Sequence, residues 1–360
     1  MHKQFSIYLD LLRFIAALLV FVSHIPAFID GNLWQIGLFG SESVMIFFVL
    51  SGYVISYVVY DKKETAKRYA VSRLARIYSV AIPALLLTFI LYNWALHINP
   101  TSLSGVSLRV DSQAVSLITG LFFVNQSWFN TTVLSNYPYW SLGYEVQYYI
   151  LFGIFVYTRG YTRLFSVLVS VLVMGINIIL LFPVWLAGVL CYKMTTNEKW
   201  DINPNWALLG YLTSLVGMAA YSSDELAKRV TEISNNIMPD FVLNLTFGVT
   251  PPLLITFVFT VFVFMNIFCA YFFLKDKVIF SERIGKLISK LSIHTFSLYL
   301  LHMPIFFFIG ALLPFEEHGF IMIPIYYILV PLLIYVMSLY VERSKKYYFA
   351  FFSKIIGYVR

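Results

Sequence analysis

Long apolar runs broken by short polar stretches dominate this chain, and they predict helices long enough to cross a bilayer. IPALLLTFILYNWAL, PLLITFVFTVFVFMNIF and PIYYILVPLLIYVM are typical. A hydrocarbon core about 30 Å thick takes about 20 helical residues. Apolar spans fall near 7–29, 38–60, 77–98, 114–128, 139–157, 164–181, 183–192, 206–221, 251–274, 291–313 and 319–341. The pattern therefore offers eleven candidate segments and an all-α fold, a polytopic bundle of membrane helices.

Composition agrees, with 60% of the 360 residues hydrophobic, 12% charged and a mean hydropathy of +0.78. A soluble domain has too little interior to hide that much apolar surface. The first apolar stretch carries Asp10, Arg13 and His24, and no small-residue cleavage site closes it. It reads as a first transmembrane helix rather than a cleaved signal peptide. Cys191 and Cys269 lie in or beside apolar spans without metal-type spacing, so they indicate neither a disulfide framework nor a zinc site.

Charge refines the topology, because Lys and Arg collect on the cytoplasmic side. Basic clusters occur at Lys62, Lys63, Lys67, Arg68, Arg73 and Arg76; at Arg159 and Arg163; at Lys193 and Lys199; at Lys275, Lys277, Arg283, Lys286 and Lys290; and from Arg343 onward. A full crossing at 114–128 would put Arg159 and Arg163 outside and invert every later basic loop. A partial or re-entrant segment there leaves all five clusters inside. The expectation is thus about ten transmembrane helices plus one partial segment, with both termini cytoplasmic and only Arg109, Lys228 and Arg229 in outer loops. Non-spanning backbone at that depth must be buried in protein or line a wet cavity. The net charge of +7 is a positive-inside signal and needs no nucleic-acid partner. A membrane domain over 1–341 is followed by a basic-aromatic tail, 342–360, suited to lipids of an anionic inner leaflet.

Ionisable groups inside such spans are costly, at about 2.5–3.5 kcal/mol each near a helix centre on insertion scales. Arg13 and His24 are eleven helical steps apart, which puts both on one face of a helix, roughly 16 Å apart along its axis. Asp10 precedes Arg13 at ion-pair spacing. Glu145, in YPYWSLGYEVQYYILF, shares a face with Ser141 and Tyr148. Glu42 enters the second span, and His302 lies well inside SLYLLHMPIF. Each admits a plain structural account: an Asp10–Arg13 pair, an interfacial Glu42, a packed or hydrogen-bonded His24 and His302, interface aromatics. Arg73 and Arg76, in SRLAR, are topology signals or a grip for phosphate.

Taken together, these blocks resemble acyltransferase family 3, membrane-bound acyltransferases that acylate bacterial surface glycans. Arg13 and His24 match the family's Arg and His spaced by ten residues. FFVLSGYVIS, RLARIY, WSLGYEVQYY and SLYLLHMP match four further blocks in order. Met45 stands where many members carry an acidic residue, and Gly143 and Tyr144 replace Ser and a small apolar residue. We read both as subfamily variation bearing on the acceptor.

The resemblance implies acyl-CoA, most often acetyl-CoA, as the donor substrate, with no bound cofactor or metal. It implies a carbohydrate acceptor and a location in the bacterial cytoplasmic (inner) membrane. On that basis His24 is the general base, Glu145 orients it or holds the acceptor, and Arg13 positions the donor or stabilises oxyanion charge. Arg73 and Arg76 hold donor phosphates, while Glu42, Tyr148 and His302 serve substrate binding. A transporter using intramembrane His, Glu and Arg as a proton or substrate path is the alternative.

Overall fold

The computed structural model describes residues 1–33, 39–100, 112–128, 130–221, 229, 232, 233, 236 and 253–358; Arg109 and Lys228 lie outside them. The helices are α1 Lys3–His24, α2 Gly40–Tyr60, α3 Ala66–Ile98, α4 Gln113–Leu121, α5 Trp140–Tyr157, α6 Gly160–Thr195, α7 Pro204–Tyr221, α8 Leu253–Leu274, α9 Glu282–Ile293, α10 Thr295–Leu312 and α11 Val330–Ile356. Among the described residues, seven helical stretches are long and apolar enough to cross a membrane. The chain divides into two compact units: Met1–Leu19 with Leu38–Glu64 and Ile179–Ser292, and Val20–Gly37 with Thr65–Ile178 and Ile293–Arg360.

Hydropathy misjudged several ends because it reports depth in the bilayer rather than where hydrogen bonding stops. The expected third span began at 77, yet α3 starts eleven residues earlier, capped by Thr65, whose hydroxyl accepts from the Arg68 amide at 3.4 Å. Arg73 and Arg76 therefore sit on a helix instead of in a loop. The segments expected at 164–181 and 183–192 form one helical run that breaks at Gly175, not beside Pro183. A β-carbon on Gly175, whose φ is +75°, would stand 2.1 Å from the Ser127 carbonyl oxygen, so both conformation and space require glycine. The residues expected as a separate tail continue α11 without a break at 342.

In the first unit, α2 crosses the second half of α6 at the closest approach its backbones allow. A β-carbon added at Gly188 would lie 1.9 Å from the Val49 oxygen, and one at Gly52 would lie 2.1 Å from the Trp185 oxygen. Small residues at such a crossing let helix backbones touch, which is how helices gain dispersion energy in lipid. The Trp185 indole N–H reaches the Ser51 hydroxyl at 3.2 Å, and Tyr53 meets Thr195 at 2.9 Å. α7 lies along α8, where Asn266 donates to Ser214 at 3.0 Å and accepts from Tyr8.

The second unit packs α3 against α10 and α11. Its unusual part is the stretch after α4. That helix has nine residues, about 14 Å at 1.5 Å per residue, less than half a hydrocarbon core. An irregular segment follows, with Phe123, Asn130 and Leu134 at positive φ. Several of its backbone groups are answered by nearby side chains: Gln126 donates to the Thr131 carbonyl at 3.0 Å, and Ser116 donates to the Thr132 carbonyl at 2.7 Å while accepting from the Leu134 amide at 2.9 Å.

Gly188→Ala is expected to lower stability by about 1–3 kcal/mol through overpacking at the α2–α6 crossing. Thermal melting of detergent-purified protein reads this directly, and an unchanged midpoint would contradict the close crossing.

Candidate active site

The second unit brings His24, Glu145, Tyr148, His302, Arg73 and Arg76 into one compact body, whereas Arg13 and Glu42 belong to the first. Arg13 donates to Asp10 at 3.4 Å, and Asp10 also accepts from Ser289 at 2.9 Å. Glu42 stands in the first turn of α2, where the helix dipole favours a carboxylate, and accepts from Ser41 at 2.9 Å.

His24 is the last residue of α1, and Pro26 follows within the next short turn. Its Nδ1 lies 2.8 Å from the Val20 carbonyl oxygen, and His302 Nδ1 lies 2.9 Å from that of Leu298. Both rings thus use the same local device, a bond to the carbonyl four residues back. A carbonyl only accepts, so each neutral ring carries its proton on Nδ1 and leaves Nε2 with a lone pair. His302 Nε2 faces His24 Nδ1 at 3.3 Å and is engaged there. The ring nitrogen left for chemistry is His24 Nε2, on a half-buried side chain, while His302 is fully buried among Phe21, Tyr299 and Phe306.

Polar groups continue from this pair along α10 and α5. Tyr299, one turn before His302, meets the Ser141 hydroxyl at 2.7 Å, and both also reach the Pro138 carbonyl, at 3.1 and 3.2 Å. Glu145 is one turn after Ser141 and accepts from Tyr149, one turn further. The Arg73 guanidinium lies 6.0 Å from the centre of the Tyr149 ring. Positions 141, 145 and 149 advance four residues each, so they hold one face of α5 over about 12 Å. The Tyr148 hydroxyl instead donates to the Ile178 carbonyl at 2.8 Å, and its side chain is fully buried. Tyr149, not Tyr148, is the tyrosine on Glu145.

This ladder depends on how α10 survives Pro304. A proline lacks the amide proton its helix needs, so the carbonyl four residues earlier loses its donor. That carbonyl, on Leu300, accepts from Asn136 at 2.9 Å, and Asn136 also donates to Thr88 at 3.2 Å. The bond pins the irregular segment beside α10 just before Pro138 and Ser141. Sequence reading assigned Tyr299, Asn136 and Tyr149 no role. The Tyr299-x-x-His302 spacing of one helical turn was the one usable signal among them.

The acyltransferase family 3 profile, described as an acyltransferase domain, matches residues 6–342. The chain belongs to acyltransferase family 3. The chain is also 34% identical over 151 residues to acyltransferase MdmB of Streptomyces mycarofaciens, a match covering 39% of this chain and 36% of the relative. The chain thus aligns with little more than a third of that relative's length. No solved structure matches it. Its family and its apolar helices mark it as an integral membrane protein.

His302→Phe keeps an aromatic ring among Phe21, Tyr299 and Phe306 but removes the acceptor facing His24 Nδ1. Because Val20 still holds the tautomer, acyl transfer should fall by about tenfold, the worth of one hydrogen bond, with the melting temperature retained. Steady-state rates beside melting curves check this, and unchanged rates would show that the imidazole pair is packing alone.

Proposed function

We propose that this acyltransferase moves an acyl group, most often acetyl, from cytoplasmic acyl-CoA to a hydroxyl of a cell-surface or lipid-linked carbohydrate. The observation that carries this reading is the His24 ring, tied through Nδ1 to Val20 with Nε2 left as a base, at one end of a polar ladder whose other end is Arg73. His24 Nε2 takes the proton from the acceptor hydroxyl, and that oxygen attacks the thioester carbonyl. The carbon–sulfur bond then breaks, and the departing CoA thiolate takes the proton back from the imidazolium. Glu145 stabilises the cationic imidazole or holds the acceptor, and Arg73 and Arg76 bind donor phosphate. Arg13 keeps the role that family resemblance implies, positioning the donor or stabilising oxyanion charge.

Direct transfer is favoured over an acyl-histidine intermediate, because an acyl-imidazole open to water hydrolyses. The enzyme sits in the bacterial inner membrane with about ten crossings, a part-way α4 and both termini inside. The shortness of α4 supports that count.

Purified enzyme given labelled acetyl-CoA should release CoA only when a carbohydrate acceptor is present, and acid-quenched protein should carry no label. His24→Ala should insert and fold yet lose transfer, and Glu145→Gln should lose most of it. Full activity in His24→Ala would end the base assignment, and uptake of a solute without CoA chemistry would favour transport. Arg73→Ala and Arg76→Ala should raise KM for acyl-CoA more than they lower kcat, with only partial rescue by Lys.

Single cysteines at 66 and 160 should both resist labelling from outside. Labelling at 160 but not at 66 would make α4 and its neighbours a full crossing and overturn the ten-span count.

A further inference from the structure

The C-terminal helix α11 runs antiparallel to α3 and carries charge to the donor end of the site. Ser344 approaches the Ser79 carbonyl at 3.5 Å, Phe352 packs on Tyr78 with ring centres 5.5 Å apart, and Lys67 donates to the Gly357 carbonyl at 3.1 Å. Ser79 lies four residues before Pro83, so its carbonyl has no helical donor, and the Ser344 hydroxyl, 2.7 Å from the Val341 carbonyl of its own helix, stands 3.5 Å away from it. Ser79 is also one turn from Arg76. The docking therefore sets the next residue, Lys345, beside the arginine pair, close enough that the charges of Arg73 and Arg76 act on its ammonium. On the α10 side, Glu342 accepts from Ser297 at 2.9 Å while Arg76 lies 5.9 Å from the ring of the neighbouring Phe296. Three half-buried cations thus gather at the junction of α3, α10 and α11, and the Glu342 carboxylate feels the charges of Arg76 and Lys345.

Like charges held together and partly out of water are costly unless an anion joins them. We propose that Lys345 completes, with Arg73 and Arg76, a clamp for a ligand carrying more than one phosphate, the nucleotide portion of coenzyme A. Glu342 anchors the helix through Ser297. Lys345 stands beyond residue 342, where the family match ends. The proposal rests on the reading of a CoA thioester as donor. Phosphate of an anionic lipid headgroup shares the chemistry, and the test separates the two.

Binding of CoA and of 4′-phosphopantetheine is measured by calorimetry in nanodiscs of phosphatidylcholine alone and of phosphatidylcholine with phosphatidylglycerol. Lys345→Gln should weaken CoA binding about tenfold in both and narrow the preference for CoA over 4′-phosphopantetheine; Lys345→Arg should restore both. Lys346→Gln, on the exposed neighbour, should change neither. Melting curves establish that each variant is folded. Equal CoA affinity in wild type and folded Lys345→Gln would overturn the clamp and leave the donor reading intact. An effect of Lys345→Gln confined to the phosphatidylglycerol discs would reassign the cluster to lipid. Absence of CoA binding by wild type would overturn the donor reading itself.

Discussion

In a hydrocarbon interior a main-chain carbonyl without a donor is expensive, and the second unit of this protein is organised by where such carbonyls are answered. Pro304 leaves Leu300 open, and Asn136 closes it. Pro83 leaves Ser79 open, and Ser344 approaches it. The break at Gly175 interrupts helical bonding in α6, where the Leu172 carbonyl accepts from the Trp128 indole at 2.8 Å. Each donor comes from a segment remote in sequence. The irregular stretch is thereby tied to α10 and to α6, and the C-terminal helix to α3.

From those ties the geometry of the site follows. Asn136 holds the chain just before α5 against α10, which sets Ser141 on Tyr299 and starts the stripe through Glu145 to Tyr149. The imidazoles of His24 and His302 then meet with both tautomers decided by their own helices. A histidine whose Nδ1 is held by the carbonyl four residues back presents Nε2 with its lone pair, so a basic nitrogen in such a place requires little local design.

Family resemblance named His24, Glu145, Arg73 and Arg76, and the structure adds what links them. Tyr299 has only its one-turn spacing from His302 and Ser141 only its place on the Glu145 face, while Tyr149 carries no signal that separates it from the many interface tyrosines of a membrane protein. Tyr148 illustrates the difficulty. At three residues from Glu145 it shares a face as plausibly as Tyr149 does at four, and only the position of Ile178 shows that its hydroxyl faces elsewhere.

The sequence by itself determined the class of protein, because apolar runs of about 20 residues have one solution in lipid: helices that bond their own backbone. Block order established the family, and loop charge supplied a topology to test. Helix ends escaped it wherever a helix ran on through polar residues, as in α3 from Ala66 and α11 to Ile356, since hydropathy senses the solvent and not the hydrogen-bond ladder. Tertiary structure alone decided that Gly175 rather than Pro183 breaks α6, that the Tyr148 hydroxyl goes to Ile178 while Tyr149 meets Glu145, and that Asn136 meets Leu300. Each turns on a contact between segments tens to hundreds of residues apart. Local periodicity fixes the face a residue occupies on its own helix, but which group meets it there depends on how the helices pack.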